Sequence, residues 1–359
     1  MKNDRDIDVD AVTTIGMPRS LLYFKFYPLW KTFLEELGCE IVLSPHTNKK
    51  IVERGVDIGM NELCLPIKIY YGHMAWLLEN HPDLDYIFVP RYISLDPRGF
   101  YCPKFLSLPD AMRGTFDKLP KLLVWEVNAK EELKISWAIR FGRQLGANVT
   151  DITTAYQKAV HAYKEFNRVI KGGIFITKAL DAIEKGQPLP DPRDLQKHPV
   201  TIFVLGHPYN VYEDYTNMNM LEKLEKMGVN VMALENLSPD VFKDRVKVGG
   251  KFDNYWGNEQ DILQATRYLF ENNSTGIDGV IFIISFACGP DSLIAEIVMR
   301  DMQAKKVPYI SLVVDEHSGS AGLVTRIETF VDMIMRKKQI QYRSSSKIFK
   351  DQAIEASSP

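Results

Sequence analysis

Residues 280–300 (VIFIISFACGPDSLIAEIVMR) join an apolar run rich in β-branched residues to a helical pattern. Such a run is typical of a strand buried on both faces, as in a parallel sheet. Cys288 lies between the two, and Pro290 suits the first turn of the helix. Open α/β sheets bind ligands at the carboxyl ends of their strands. We therefore expect Cys288 at a functional edge, where the positive end of the helix would favour its thiolate.

A weak internal repeat extends this pattern along the chain. Residues 16–19 (GMPR) correspond to residues 206–209 (GHPY), and residues 34–41 (LEELGCEI) correspond to residues 224–231 (LEKMGVNV). Each half then contains four strand–helix units. The repeat predicts an α/β fold of two doubly wound parallel sheets joined by a helical segment.

The 359 residues are enough for two domains of ordinary size. Proline-rich sequence near residue 190 marks a linker. The predicted domains are a first α/β domain at 12–128 with Cys64 and Cys102, a helical connector with a proline-rich linker at 129–198, and a second α/β domain at 199–340 with Cys288.

Composition narrows the class of protein. A formal charge of −2 without a long basic run argues against a nucleic-acid partner. The apolar runs are strand-sized, and the amino terminus is polar and acidic, so we expect neither a membrane partner nor a signal peptide. The expected location is the cytoplasm, where the four cysteines would not pair as disulfides.

Cys64, Cys102 and Cys288 share one setting, because each lies in a predicted loop with a proline one or two residues later. Cys39 aligns with Val229 at a helix-to-strand junction, which favours a buried structural thiol. The chain has no C-x-x-C motif and no C-x₂₋₄-C pair, which disfavours thioredoxin-type and structural zinc sites. Two interpretations remain: three unrelated structural thiols, or an iron–sulfur cluster held by cysteines that are far apart in the sequence.

Polar residues follow two more predicted strands. His207, Tyr209 and Asn210 come after the fifth strand of the series, and Glu316, His317 and Ser318 come after the eighth. Their imidazole, hydroxyl, amide and carboxylate groups suit the orientation of a small polar ligand at the same sheet edge. The alternative is that they only cap and close turns.

The chain resembles the acyl-CoA dehydratase activase-related proteins, which are related to the subunits of 2-hydroxyacyl-CoA dehydratases and benzoyl-CoA reductases. The resemblance covers most of residues 12–337. It is carried by the segments IGMPRSLLYFKFYPLWKTFLEELGCEIVLSP, NELCLPIKIYYGH, YCPKF, GHPYNVYEDYTNMNM, FACGPDSLIAEI and DEHSGSAGLVTRIETFVDM. It implies two flavodoxin-like domains and a [4Fe–4S] cluster held by three cysteines, and Cys64, Cys102 and Cys288 match the motif positions.

The resemblance also implies ATP-driven, low-potential electron transfer or dehydration chemistry in anaerobic metabolism. The expected partners are an ATP-dependent activase that carries its own cluster and a related dehydratase-like subunit. This chain has no G-x-x-x-x-G-K-[ST] motif, so the ATPase is expected to be a separate protein. The alternatives are a non-catalytic accessory or scaffold protein, and a zinc or redox-sensor protein on the same fold.

Overall fold

The computed structural model describes residues 12–97, 99–129, 134–243, 247–248, 252–253, 256–271 and 276–355, with backbone alone for 247–248, 252–253, 270–271 and 340–355. The chain divides into two compact units. Unit 1 comprises Met1–Asp191 and Lys247–Asn258, and unit 2 comprises Pro192–Val246 and Glu259–Pro359.

The secondary structure alternates between strands and helices, as the repeat predicts. The described strands are β1 (Thr14–Met17), β2 (Glu40–Leu43), β3 (Tyr86–Ser94), β4 (Lys121–Asn128), β5 (Thr201–Leu205), β6 (Asn230–Ala233), β7 (Lys247–Val248), β8 (Phe252–Asp253), β9 (Gly279–Ser285) and β10 (Tyr309–Val314). The described helices are α1 (Tyr23–Glu36), α2 (Lys49–Ile58), α3 (Leu65–Asn80), α4 (Pro103–Leu106), α5 (Leu108–Thr115), α6 (Lys134–Gln144), α7 (Val149–Lys171), α8 (Ile176–Glu184), α9 (Pro208–Val211), α10 (Met220–Lys226), α11 (Gly257–Glu271), α12 (Gly289–Ala304) and α13 (Ser320–Glu355). Short 3₁₀ turns occupy Pro192–Asp194, Leu234–Asn236 and Pro239–Phe242.

The sheet of unit 1 is parallel and has the strand order β2-β1-β3-β4. Its inner strands are apolar on both faces, as parallel strands covered by helices must be. Ile15 and Val89 on these strands are fully buried, and the Trp30 side chain of α1 packs against Phe88 of β3. The core of this unit therefore lies between the sheet and the helices that connect its strands.

The sheet of unit 2 is also parallel, with the order β10-β9-β5-β6. Numbered within its own unit, each sheet has the order 2-1-3-4, which is the start of the flavodoxin-like order. Every residue of β9 is buried, in agreement with the apolar run from which it was predicted. The predicted α/β fold of two doubly wound, flavodoxin-like sheets is confirmed.

Helices α2 and α3 cross closely in unit 1. A Cβ atom added at Gly72 of α3 would lie 1.9 Å from the carbonyl oxygen of Ile51 in α2. Only glycine allows this approach, and it anchors the helix whose first residue follows Cys64. His73, on the same helix, is fully buried, with Nε2 3.0 Å from Oγ1 of Thr47.

Several elements go beyond the pattern read from the sequence. The predicted strand 86–90 continues to Ser94, and the loop after it contains α4 and α5. The helices predicted within 129–198 are α6, α7 and α8, and they lie in unit 1. The antiparallel pair β7–β8 was not predicted, and Trp256, just beyond it, bridges to Phe100 within unit 1. Among the described residues, no helix combines the length and the apolar character needed to cross a membrane.

Candidate functional site

The candidate site lies where the strand order of unit 2 reverses. β5 and β9 are neighbours, but the chain proceeds from β5 to β6 on one side and from β9 to β10 on the other. The loops after β5 and β9 therefore diverge at one sheet edge and leave a crevice, which is where doubly wound folds bind ligands. His207 follows β5, and Cys288 follows β9.

Gly206 brings these two loops together. Its φ of +149° is open to glycine, and an added Cβ would lie 2.8 Å from the carbonyl oxygen of Ile283 on β9. The backbone after β5 can thus pass close against β9 only with glycine at this position. The next residue, His207, is then directed beside the start of α12.

His207, Cys288 and Asp291 form the centre of the site. One ligand atom from each lies within 4.8 Å of the others, and His207 Nε2 is 3.0 Å from Asp291 Oδ1. His207 and Asp291 are essentially inaccessible to solvent, whereas Cys288 is half-buried. Although the 3.0 Å approach is short, its angle is not that of a hydrogen bond, and the ring nitrogens and both carboxylate oxygens lack hydrogen-bond partners.

A second carboxylate reaches the same histidine. Glu259, on the first turn of α11, has Oε1 3.5 Å from His207 Nε2. Burial by itself lowers the pKa of His207, but Asp291 and Glu259 more than offset it, so this pKa lies well above the usual value. Burial raises the pKa of the Glu259 carboxyl to about 7, although His207 acts to lower it. The site thus places two buried carboxyl groups beside one buried imidazole.

The thiol of Cys288 differs from the expectation drawn from the sequence. The positive end of α12 was expected to favour the thiolate, yet the pKa of Cys288 is raised. Burial is the main cause, and it outweighs the lowering effect of His207 beside the sulfur, while the Asp291 carboxylate adds to the rise. In the protein as described, Cys288 is therefore a protonated thiol at neutral pH, and a bound metal would be needed to deprotonate it.

The other two candidates after β5 line the same loop. The Tyr209 ring stacks on His207, with centroids 4.9 Å apart. Asn210 is fully buried, and its Oδ1 accepts a hydrogen bond of 2.7 Å from the hydroxyl of Ser285 at the end of β9. Its side-chain nitrogen has no partner. The loop therefore offers an unused buried donor in addition to the histidine.

The loop after β10 forms a compact turn. The Ser318 hydroxyl donates to Oδ1 of Asp315 over 2.8 Å and accepts from the Asp315 backbone over 2.9 Å. His317 is exposed, and Glu316 is half-buried. Ser318 thus closes the turn through its contacts with Asp315.

The other cysteines lie in unit 1. Cys64 directly precedes α3, and Cys102 directly precedes α4, just as Cys288 directly precedes α12. Each of the three helices has proline at its first or second position. Cys39 instead lies between α1 and β2, where burial raises the pKa of its thiol to about 11. None of the four cysteines, all within the described residues, forms a disulfide.

Two residues of the site were not singled out from the sequence. Asp291 could have been found from the sequence. It is three residues after Cys288, which places it in the first turn of the predicted helix, where acidic residues are favoured. Glu259 could not have been found, since it lies in a polar stretch far from His207 in the chain and reaches the site only through tertiary packing.

One comparison with known proteins bears on this chain. The model of a family described as the CoA enzyme activase uncharacterised domain matches residues 14–237, which is more than half of the chain. The matched region contains Cys64, Cys102 and His207, and Cys288 lies beyond it. No curated protein matches the sequence.

Proposed function

Because the chain belongs to the CoA enzyme activase uncharacterised domain family, we propose that it is an iron–sulfur component of a CoA-dependent dehydratase- or reductase-type system. In this proposal Cys64, Cys102 and Cys288 hold one [4Fe–4S] cluster. When bound, such a cluster supplies one-electron transfer and, at an iron without a thiolate, Lewis acidity toward an oxygen atom.

The observation that carries the proposal is the shared position of the three cysteines. Each is the residue directly before a helix that has proline at its first or second position. Cys39 does not share this position and is enclosed at a helix-to-strand junction. Thiols placed at the starts of helices are suited to a metal centre, so the residues present fit the proposed group.

The remaining residues would serve the ligand. His207, Tyr209 and Asn210 lie beside Cys288 at the edge of the unit 2 sheet, and we propose that they orient a small polar substrate there. Glu316, His317 and Ser318 follow the adjacent strand β10 and would border the same edge. Phe286 and Leu293 flank Cys288, and both are 62% exposed, which suits contact with a partner protein.

The proposed partner is a separate ATPase that delivers electrons, working with a dehydratase-like subunit. The chain lacks a phosphate-binding motif of the G-x-x-x-x-G-K-[ST] type. Purified alone, it should therefore not turn over ATP. An electron-transfer partner of this kind would bind through a modest, transient interface.

Iron content tests the proposal. The full chain would be purified without oxygen as wild type and as the single variants Cys64→Ala, Cys102→Ala and Cys288→Ala, with Cys39→Ala as the matched control. Wild type and Cys39→Ala should be brown and retain iron, and the other three should lose it. A colourless wild type, or a Cys39→Ala variant that loses iron as completely as Cys288→Ala, would contradict the proposal.

A further inference from the structure

We propose that His207, Cys288 and Asp291 bind a single divalent transition-metal ion of the zinc class, at a site contained within unit 2. The site needs no residue of unit 1, so it does not rest on the proposed cluster. Because both would use the Cys288 sulfur, the ion and the cluster would exclude each other there.

The first argument is the distribution of unpaired polar atoms. Among the described residues of unit 2, six buried side-chain polar atoms lack a hydrogen-bond partner: two on His207, two on Asp291, one on Asn210 and one on Thr216. Five of these six therefore belong to the loops after β5 and the start of α12. Buried polar groups are normally paired, and such a concentration indicates a ligand.

The buried carboxyl groups of the site also favour a bound cation. Asp291 has no measurable exposure, yet neither of its carboxylate oxygens receives a hydrogen bond. A buried carboxylate without donors is strongly unfavourable unless a cation compensates it. Glu259, which is also buried, adds a second carboxylate beside His207.

The third argument is the geometry and chemistry of the donors. Around a tetrahedral zinc ion, neighbouring ligand atoms are about 3.3–3.7 Å apart. The three donor atoms lie within 4.8 Å of one another, so contraction by about an ångström would close the site. A thiol, an imidazole and a carboxylate together suit Zn²⁺, whereas Mg²⁺ and Ca²⁺ require oxygen ligands alone.

The arrangement also indicates what the ion could do. Three protein ligands leave the fourth tetrahedral position for water or a ligand oxygen, which is the pattern of catalytic rather than structural zinc sites. The half-buried Cys288 provides the side from which an ion can enter.

Zinc alone is the probe for the test. The full chain would be freed of metal with a chelator and titrated with Zn²⁺ in competition with a chromophoric chelator, and Co²⁺ would report thiolate ligation through its absorption spectrum. The variants are Cys288→Ser, His207→Gln and Asp291→Asn. The controls are Cys39→Ser and the double variant Cys64→Ser/Cys102→Ser, which removes the other proposed cluster ligands and leaves the triad intact.

Wild type and both controls should bind one Zn²⁺ per chain. Each of the three ligand variants should bind it more weakly by more than the roughly 10–100-fold that loss of an outer-shell partner costs. Asp291→Asn preserves the shape of the side chain, so it decides the question if His207→Gln fails to fold. Circular dichroism of the metal-free variants identifies such a failure.

Three results would overturn the inference: no stoichiometric zinc binding by wild type, equal loss in the Cys64→Ser/Cys102→Ser variant, or unchanged binding in the ligand variants. The proposed function fails separately, through iron content that does not depend on Cys64 and Cys102. The two proposals can therefore fail independently.

Discussion

In unit 1 the chain ends β1 at Met17, and in unit 2 it leaves β5 through His207, at the equivalent point of the repeat. The two sheets have the same strand order, so both points lie where the order reverses. At the first point Arg19 is fully engaged with protein partners, although Nδ1 of His73, which lies near it, has no hydrogen-bond partner. At the second point, several polar side-chain atoms are buried and have no hydrogen-bond partner.

Arg19 is a polar residue of unit 1 whose side chain is held by several hydrogen bonds and an ion pair. Its backbone N–H donates to the Ser44 hydroxyl over 2.8 Å, and its Nε donates to the Ser44 carbonyl oxygen over 3.1 Å. The guanidinium also donates to the Tyr23 hydroxyl over 3.2 Å and forms an ion pair with Glu184. These contacts tie the loops after β1 and β2 to α8.

The comparison teaches that strand order locates a possible binding edge but does not decide whether it is used. What distinguishes the two edges is whether the buried polar atoms already have partners. By this criterion Arg19 has a structural role in unit 1, whereas the unpaired atoms beside Cys288 in unit 2 are the ones proposed to bind a ligand. The predictions below test that distinction.

The largest expected effect is the pH dependence of the two buried histidines. Burial, aided by Arg19 and His46, lowers the pKa of His73 from 6.5 to about 3. The unfolded chain therefore takes up a proton before the folded one, so stability is complete above pH 6.5 and is lost as pH falls toward 3. The loss can reach roughly 5 kcal/mol.

Replacing His73 removes this contribution. His73→Gln should flatten the fall in the free energy of unfolding between pH 6.5 and about 3, measured by urea unfolding at several pH values. His207→Gln should leave that acid-side fall in place, because the pKa of His207 is raised rather than lowered. Equal slopes for wild type and His73→Gln would show that His73 is not the buried neutral group inferred here.

The second effect compares one charged partner from each edge. Arg19→Met leaves Glu184 without its cation in a site that is 15% exposed, and it should lower the free energy of unfolding by about 3–4 kcal/mol. Asp291→Asn in the metal-free protein should cost less than Arg19→Met, because the His207 imidazole that loses its partner, with an ordinary pKa of about 6.5, can release its proton at neutral pH.

A double variant separates the ion pair from general packing. Arg19→Met/Glu184→Gln removes both charges and should recover part of the stability lost in Arg19→Met. Chemical denaturation of the metal-free proteins supplies all four values. If Asp291→Asn were as costly as Arg19→Met, the two edges would be equally structural, and the distinction between them would be lost.

Sequence pattern predicted the fold well where the signal is local. The apolar run of β9 and the helix after Cys288 are encoded within one stretch, and the repeat of residues 16–19 at 206–209 correctly indicated two sheets of one kind. The pair β7–β8 was missed because two-residue strands carry no periodicity. The pair lies in unit 1, and the nearby Trp256 bridges there to Phe100, a residue distant in the chain.

The candidate site was predictable in part. His207 and Cys288 stood out because each directly follows a strand, and the structure brings them side by side. The protonation of Cys288 was not predictable, because the helix end is visible in the sequence but the burial that outweighs it is not. Glu259 was missed for a similar reason, since its proximity to His207 is a product of tertiary packing alone.

The smallest effect concerns the equivalent glycines of the two edges. A Cβ at Gly206 would lie 2.8 Å from a backbone oxygen of β9, at a φ of +149°. A Cβ at Gly16 would meet side-chain atoms alone, the nearest being Cδ1 of Leu84 at 2.6 Å and Cγ1 of Ile87 at 3.4 Å, and the end of the Leu84 side chain can move. Gly206→Ala should therefore cost about 2–3 kcal/mol of unfolding free energy, and Gly16→Ala about 1 kcal/mol.

Because His207 follows Gly206 directly, Gly206→Ala should also weaken zinc binding, whereas Gly16→Ala should leave it unchanged. Equal unfolding midpoints and equal zinc affinity for the two variants would show that the close approach of β5 to β9 does not position the site.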